Sequence, residues 1–189
     1  MAESARTVEA GDLRLAVDIG NTNTVIGLFA GKAIAHRWRL ATRKDTTVDE
    51  IAMWLHGLLR SDEDREGIAA SAMASVVPAL DDSWARALEE VLGHAPEVLD
   101  YSNCLGLKLE YEIPRQIGAD RLANVLGAHA LGHKRGVVID LGTATTYDVF
   151  GEDAYYGGII CPASRARCAG WPRARPSSPK SNCAGSTRP

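Results

Sequence analysis

Two short segments of the chain place an aspartate, a glycine and small polar residues directly after an aliphatic run. The first extends from Leu15 to Thr24 around Asp18, and the second from Val137 to Thr146 around Asp140. A strand that ends in Asp can direct a carboxylate into a cleft, and Gly lets backbone N–H groups approach a phosphate closely. Either segment alone could be an ordinary hairpin with an acidic end. Their agreement predicts two halves of a duplicated fold that face one nucleotide.

Each segment is predicted to be a β-hairpin, because strand-forming residues also follow its polar cluster. Gly20 and Asn21 form a suitable turn pair in the first hairpin. The chain contains neither a G-x-x-x-x-G-K-[ST] loop nor a glycine loop of the protein-kinase type. The two hairpins are therefore the phosphate cradle that the sequence offers.

These hairpins resemble the phosphate-binding hairpins of the acetate and sugar kinase, Hsp70 and actin superfamily. A third segment, Tyr111–Asn124, resembles the Tyr-x-x-Pro and Gly-Ala-Asp-Arg-x-x-Asn block of type III pantothenate kinases. Ser75–Pro78 and Tyr156–Ile160 also match that family, and the resemblance extends from about Leu13 to Pro162. It implies an α/β fold of duplicated actin-like (ribonuclease H-like) lobes, the second incomplete. The implied reaction is ATP-dependent phosphorylation of pantothenate to 4′-phosphopantothenate, the first step of coenzyme A synthesis.

The resemblance also implies which residues bind the nucleotide and its cations. Asp18 would hold Mg²⁺ through water, and Thr143 would contact ATP from the second lobe. Asp140 would bind a monovalent cation, K⁺ or NH₄⁺, with a simple hydrogen bond to its own turn as the alternative. The implied ATP-binding stretch of the first hairpin consists of Asp18, Ile19, Gly20, Asn21, Thr22, Asn23, Thr24 and Val25.

Asp120 corresponds to the catalytic base of the family, which would accept the proton of the pantothenate hydroxyl. The alternative role is a helix cap, which would lower the pKa of the carboxyl and weaken the base. Arg121 would bind the pantothenate carboxylate, or else form a surface salt bridge. Tyr111 would line the same pocket, or simply pack half-buried. Gly118 and Ala119 complete the implied substrate-binding set.

Hydrophobic periodicity predicts alternating strands and helices, typical of an α/β fold. The predicted strands are Leu13–Asp18, Thr24–Ala30, Ala33–Leu40, Ile68–Val77, Glu97–Asp100, Val137–Asp140, Thr145–Phe150 and Tyr155–Ile160. The predicted helices are Val48–Leu59 with Thr47 as its cap, Leu80–Leu92 ended by Gly93, and Ile117–Leu131. Ser61–Gly67 is predicted to be a charged loop.

Composition narrows the function classes. A formal charge of −3 favours neither nucleic acid nor an acidic membrane as a partner, and 46% hydrophobic residues suffice for a core. No apolar run approaches the ~20 residues of a membrane span. The four cysteines form no C-x-x-C pair, so we expect no zinc site, and a cytoplasmic setting fits their reduced state. Family members are implied to be homodimers.

The sequence divides into a polar segment (1–12), a first lobe (13–117), a partial second lobe (118–162) and a basic tail (163–189). The tail has six basic residues and no Asp, Glu, Val, Ile, Leu, Met, Phe or Tyr, which predicts disorder. It could be a polyanion-binding arm, a linker or an out-of-frame translation, and we favour the last because all family resemblance stops at Pro162. For the chain as it stands we expect weak or absent kinase activity and poor solubility. The alternative functions for the chain are a non-catalytic nucleotide-binding remnant, a regulatory accessory protein, or a kinase for another alcohol.

Overall fold

A computed structural model of the protein describes residues 13–59 and 65–162, which form two β-sheets and three α-helices. The strands are β1 (Leu13–Ile19), β2 (Asn23–Ala30), β3 (Ala33–Ala41), β4 (Ile68–Ser75), β5 (Glu97–Leu99), β6 (Lys108–Leu109), β7 (Gly136–Leu141), β8 (Ala144–Phe150) and β9 (Ala154–Pro162). The helices are α1 (Val48–Leu58), α2 (Pro78–Leu92) and α3 (Ala119–Ala130), and Pro114–Gln116 forms a 3-10 turn. Predictions for residues 1–12, most of the 61–67 loop and the 163–189 tail lie outside the described residues.

The first sheet has the strand order β3-β2-β1-β4-β5. Its first three strands form an antiparallel meander, and β4 and β5 continue it in parallel. Alternate residues of β1, namely Leu15, Val17 and Ile19, are buried in one cluster with Leu55 of α1 and Trp84 of α2. Each large aliphatic side chain buried in this way stabilises the fold by about 2 kcal/mol. The cluster anchors β1 in the core, and β1 carries Asp18 next to its carboxyl end.

The second sheet has the order β6-β9-β8-β7. Strands β7, β8 and β9 form an antiparallel meander that repeats the arrangement of β1, β2 and β3. Helix α3 packs against this sheet through Leu122 and Val125, which lie in one core cluster with Phe150 and Tyr155. This repeated meander confirms the predicted α/β fold with duplicated lobes. Among the described residues, the second lobe contains no counterparts of the parallel strands β4 and β5.

The second lobe includes residues that precede its predicted start at residue 118. Strand β6 pairs in parallel with β9, and Leu107 and Ile117 lie in the core of the second sheet. The predicted boundary between residues 117 and 118 therefore divides one packing unit. Strand β6 was not predicted, because a two-residue strand has no measurable periodicity.

Most predicted elements are found within one or two residues of their predicted bounds. Helix α3 begins at Ala119 instead of Ile117, since Ile117 and Gly118 remain extended after the 3-10 turn. Strand β4 ends at Ser75, whose Oγ accepts a hydrogen bond from the Val77 N–H at 3.0 Å. Helix α2 begins at Pro78, a residue whose fixed φ suits the first helical position. No helix within the described ranges is both long and apolar enough to cross a membrane.

The cap of α1 offers a test of local stability. Thr47 Oγ1 accepts the N–H of Glu50, and the Glu50 carboxylate accepts the N–H of Thr47, which confirms the predicted cap as a complete capping box. Replacing Thr47 with Ala removes one side of this box, so the free energy of unfolding should fall by about 1 kcal/mol in urea denaturation. Met53→Ala, at a position on α1 that is 73% exposed, serves as the control and should change stability little. An equal loss in both variants would contradict the cap's contribution.

Candidate functional site

The ends of the two hairpins meet between the lobes. In the first hairpin the Gly20 N–H donates to the Asn23 carbonyl at 3.1 Å, and in the second the Gly142 N–H donates to the Ala144 carbonyl at 3.0 Å. The hydroxyl groups of Thr22 and Thr143 lie 3.0 Å apart and share a hydrogen bond. This contact is exposed and contributes about 1 kcal/mol at most, so it is compatible with a cleft that opens for a ligand.

Three aspartates from different elements face this cleft. The pKa of Asp18 is raised, first by burial of its carboxyl among protein atoms and then by the negative charges of Asp120 and Asp140. The pKa of Asp120 is also raised, again chiefly by burial, and Asp140 contributes to the shift. The structure therefore brings together the three carboxylates that the sequence predicts for the site. Their mutual repulsion favours a cation between them.

Asp120 lies in the first turn of α3 but does not cap it. The N-cap residue is Gly118, and the Asp120 Oδ1 accepts the N–H of Arg121 at 2.8 Å. The backbone N–H and the Arg121 charge lower the pKa of Asp120, yet burial outweighs them and the net shift is upward. The alternative of a helix cap with a depressed pKa is therefore wrong. A raised pKa makes this half-buried carboxylate a stronger proton acceptor once it is ionised.

Gly118 leaves the space in which the Asp120 carboxylate lies. A Cβ atom on Gly118 would lie 2.5 Å from Asp120 Oδ1 and 3.2 Å from Val76 Cγ1. The backbone of Gly118 has φ −62° and ψ 141°, which alanine adopts without strain. Substitution would thus displace the carboxylate without forcing the backbone.

We expect Gly118→Ala to lower the phosphoryl transfer that the resemblance implies by roughly 10- to 100-fold, since a displacement of about 1 Å at a reacting group has effects of this size. Thermal unfolding should change little. Gly127→Ala is the matched control, because Gly127 lies on the same helix and has no atom within 4 Å of an added Cβ. If Gly118→Ala transfers the phosphoryl group as fast as Gly127→Ala does, Gly118 does not position Asp120.

Arg121 is buried instead of forming the surface salt bridge that we considered. Its Nε donates to Asp148 Oδ1 at 2.7 Å, and the Asp148 side chain is fully buried. The Tyr155 hydroxyl donates to the same oxygen at 2.8 Å, and burial followed by this hydrogen bond raises the pKa of Tyr155. Arg121 thus follows Asp120 on α3, and its guanidinium is fixed by Asp148.

Tyr111 packs next to the same buried tyrosine. Its ring lies edge-on to Tyr155, with 6.4 Å between the ring centroids, and it remains 38% exposed. Tyr155 also lies beneath the Arg121 guanidinium, 5.9 Å from it. The predicted substrate-binding residues Tyr111 and Arg121 therefore flank one buried tyrosine.

Asp148, Tyr155 and Gly158 were not among the predicted site residues, although all three adjoin the Arg121 guanidinium. Asp148 lies two residues beyond the second hairpin segment, and Gly158 lies on β9 within the family match at Tyr156–Ile160. Tyr155 carried no signal of its own, because an aromatic residue in a strand is usually core.

The implied ATP-binding stretch is divided between the cleft and the core. The side chains of Ile19 and Thr24 are buried, and Thr24 Oγ1 is paired with Thr42 Oγ1 at 2.9 Å. These two residues can offer only backbone groups to a nucleotide. Thr22, by contrast, is exposed at the point where the hairpins meet.

The donor chemistry of the cleft fits Mg²⁺, which prefers oxygen ligands and keeps several waters. Asp18 and Asp140 supply carboxylate oxygens, and their repulsion would be relieved by a cation. Within residues 13–59 and 65–162, no group of three or more His, Cys, Asp or Glu side chains is arranged to hold a metal ion by itself.

Comparison with known proteins gives a consistent match. The family model for type III pantothenate kinase matches residues 14–168. The type III pantothenate kinase of Desulfosudis oleivorans is 39% identical over 150 residues, which cover 78% of this chain and 59% of that protein. The type III pantothenate kinase of Rhizorhabdus wittichii is 43% identical over 156 residues and is covered to 58%. The chain thus spans about three fifths of the length of these relatives.

Solved structures show more distant similarity. The ROK family glucokinase of Streptomyces griseus, solved with glucose and AMPPNP, aligns with a TM-score of 0.47 at 16% identity, over 80% of this chain and 48% of that one. The ROK hexokinase of Thermus thermophilus aligns with a TM-score of 0.44 at 16% identity, over 76% and 48% of the two chains.

Proposed function

The chain belongs to the type III pantothenate kinase family, and from this membership we propose that its site transfers the γ-phosphoryl group of ATP to the primary hydroxyl of pantothenate. The product would be 4′-phosphopantothenate, and the reaction would open coenzyme A synthesis. The observation that carries the proposal is the convergence of Asp18, Asp120 and Asp140 between two phosphate-binding hairpins. Arg121, beside Asp120, supplies a cationic group to the same cleft.

In this proposal Asp120 accepts the proton of the pantothenate hydroxyl as the oxygen attacks the γ-phosphorus atom. The new P–O bond forms while the bond to the β-phosphate oxygen breaks, and ADP leaves with that electron pair. Burial supports the role, because it raises the pKa of Asp120 and strengthens the carboxylate as a base.

The hairpins would bind the phosphates of ATP through backbone N–H groups at the two turns and through the hydroxyl groups of Thr22 and Thr143. Asp18 would hold Mg²⁺ through water, and Mg²⁺ when bound supplies neutralisation of the phosphate charge. Asp140 would hold the monovalent cation, K⁺ or NH₄⁺. Arg121 would bind the carboxylate of pantothenate, and Tyr111 would pack against its carbon chain.

We further propose that the protein acts in the cytoplasm and associates with a second copy of itself. The family resemblance implies a homodimer, and the apolar residues exposed on the second sheet support self-association.

A sensitive radiometric assay with labelled pantothenate tests the function. We expect slow, Mg²⁺-dependent formation of phosphopantothenate that requires ATP and is stimulated by K⁺. The reaction should be slow because β7, a flank of the second hairpin, pairs only with β8 among the described strands. A panel of sugars and simple alcohols serves as the acceptor control. Binding of Mg·ATP without phosphoryl transfer would favour the non-catalytic alternative. Preferential transfer to a sugar would show that the substrate is a sugar and not pantothenate.

A further inference from the structure

A buried polar network lies directly behind the proposed pantothenate-binding residues. Asp148 is its centre: Oδ1 accepts hydrogen bonds from Arg121 Nε at 2.7 Å and from the Tyr155 hydroxyl at 2.8 Å. The second oxygen, Oδ2, accepts a hydrogen bond from Thr146 Oγ1 at 3.2 Å. Asp148 is 0% exposed, so its charge is stable only because these partners surround it.

This network leaves one donor of Arg121 without an acceptor. The Arg121 side chain is 9% exposed, and its Nη2 lies 2.7 Å from Asp148 Oδ1 as an ion-pair contact. That contact compensates the charge of Nη2, but Nη2 is buried and no acceptor is aligned with its N–H groups. A buried donor without an acceptor is unfavourable and therefore rare in folded proteins. A ligand oxygen that accepts from Nη2 would remove this cost.

The space around the guanidinium permits only a narrow range of orientations. A Cβ atom on Gly158 would overlap the Tyr147 carbonyl oxygen and would lie 2.5 Å from Arg121 Nη2. The Tyr155 ring lies on another side of the guanidinium, 5.9 Å from its carbon atom. Since Nε is held by Asp148, the direction of the remaining N–H groups is fixed before any ligand binds.

We propose that Asp148 is a positioning residue: it holds the Arg121 guanidinium so that the N–H groups that do not bond Asp148 are directed toward the carboxylate of pantothenate. The inference rests on the proposed function, because it takes pantothenate as the ligand. Arg121 follows Asp120 on α3, so a carboxylate anchored at Arg121 would also set the place of the substrate hydroxyl relative to the base.

Calorimetric binding without ATP provides the first test. The two probes are pantothenate and pantothenol, a neutral analogue in which a hydroxymethyl group replaces the carboxylate. For Asp148→Asn, which keeps the side-chain shape, we expect the Kd of pantothenate to rise about tenfold or more, the size typical of a lost charge-assisted hydrogen bond. The Kd of pantothenol should change less than about twofold. Tyr155→Phe should give an intermediate loss for pantothenate alone, since it removes one of three hydrogen bonds to Asp148.

Asp153→Asn is the matched control, because Asp153 is an exposed aspartate of the same lobe whose ion pair with Lys108 lies at the surface. It should leave both Kd values unchanged. Equal weakening of pantothenate and pantothenol in Asp148→Asn would show a merely structural role and overturn the proposal. Unchanged or tighter pantothenate binding would overturn it as well.

Nuclear magnetic resonance of ¹⁵N-labelled arginine provides a second readout. In the unsubstituted chain, the Nε–H signal of Arg121, assigned by its loss in Arg121→Lys, should exchange slowly with water. Pantothenate should shift the Nη signals and pantothenol should not, and Asp148→Asn should abolish the slow exchange. A rapidly exchanging Nε–H, or Nη signals that ignore pantothenate, would refute the inference. Neither readout needs ATP. If both give the expected result and the chain still transfers no phosphoryl group, the proposed function is contradicted but the positioning role of Asp148 is not.

Discussion

Replacing Asp120 with asparagine is expected to reduce the proposed phosphoryl transfer to pantothenate by roughly 10²- to 10⁴-fold, the range typical for loss of a general base. Asparagine keeps the shape of the side chain and can still accept the Arg121 N–H, but it cannot take a proton from the substrate hydroxyl. Binding of Mg·ATP should persist, because Asp18 and the hairpins are unchanged. Asp153→Asn, an exposed aspartate outside the cleft, is the control and should transfer at the normal rate.

The same substitution should stabilise the fold at neutral pH. The pKa of Asp120 is raised in the folded chain, so the folded state favours the neutral carboxyl. The stability that this group contributes is therefore present below its ordinary pKa and is lost as pH rises through the folded pKa. At pH 7, Asp120→Asn should raise the melting temperature by about 1–3 °C, whereas near pH 3 the difference should vanish. A variant that is less stable than the unsubstituted chain at pH 7, or that still transfers phosphoryl groups, would rule out a buried base at this position.

The two effects together separate catalysis from folding. Replacing a residue that has only a structural role lowers activity because it destabilises the protein. Replacing Asp120 with asparagine should instead lower activity while the protein becomes more stable. This opposition is expected of groups whose burial serves function at some cost to stability.

The extent to which sequence predicted this molecule depends on the kind of interaction. The hairpins around Asp18 and Asp140 were predictable, because the aliphatic run, aspartate and glycine are contiguous in each. The cap of α1 was also predictable, since both members of the capping box lie within four residues. Local patterns of this kind determine local geometry almost independently of the rest of the chain.

The environment of Arg121 was not predictable in the same way. Its partner Asp148 is 27 positions away and on a different element, so no local pattern joins the two residues. The resemblance implied a role for Arg121 in substrate binding, but the residues that hold it emerge only when β8, β9 and α3 pack together. The raised pKa of Asp120 could not be predicted for a related reason, since it depends on burial, which emerges only when the elements pack together.

The second sheet presents an apolar face that the described part of the chain does not cover. Opposite residues of paired antiparallel strands share a face, and the register pairs Val137 with Val149 and Tyr147 with both Ile139 and Ile159. Ile139 and Ile159 are 54% and 62% exposed. Strand β7 is also an edge strand among the described residues, so its outer backbone groups lack strand partners. Apolar side chains along an open edge favour association of chains.

We therefore expect Ile139→Lys to reduce self-association several-fold, measured by sedimentation velocity over a range of protein concentrations. A charge in the middle of this face would have to be desolvated on association, which opposes contact between copies. Ile34→Lys is the matched control, because Ile34 is a 60% exposed isoleucine on β3, the edge strand of the first sheet. If the second sheet is the contact, Ile34→Lys should associate like the unsubstituted chain. Association that persists in Ile139→Lys but disappears in Ile34→Lys would move the contact to the first sheet, and the open face of the second lobe would then need a different explanation.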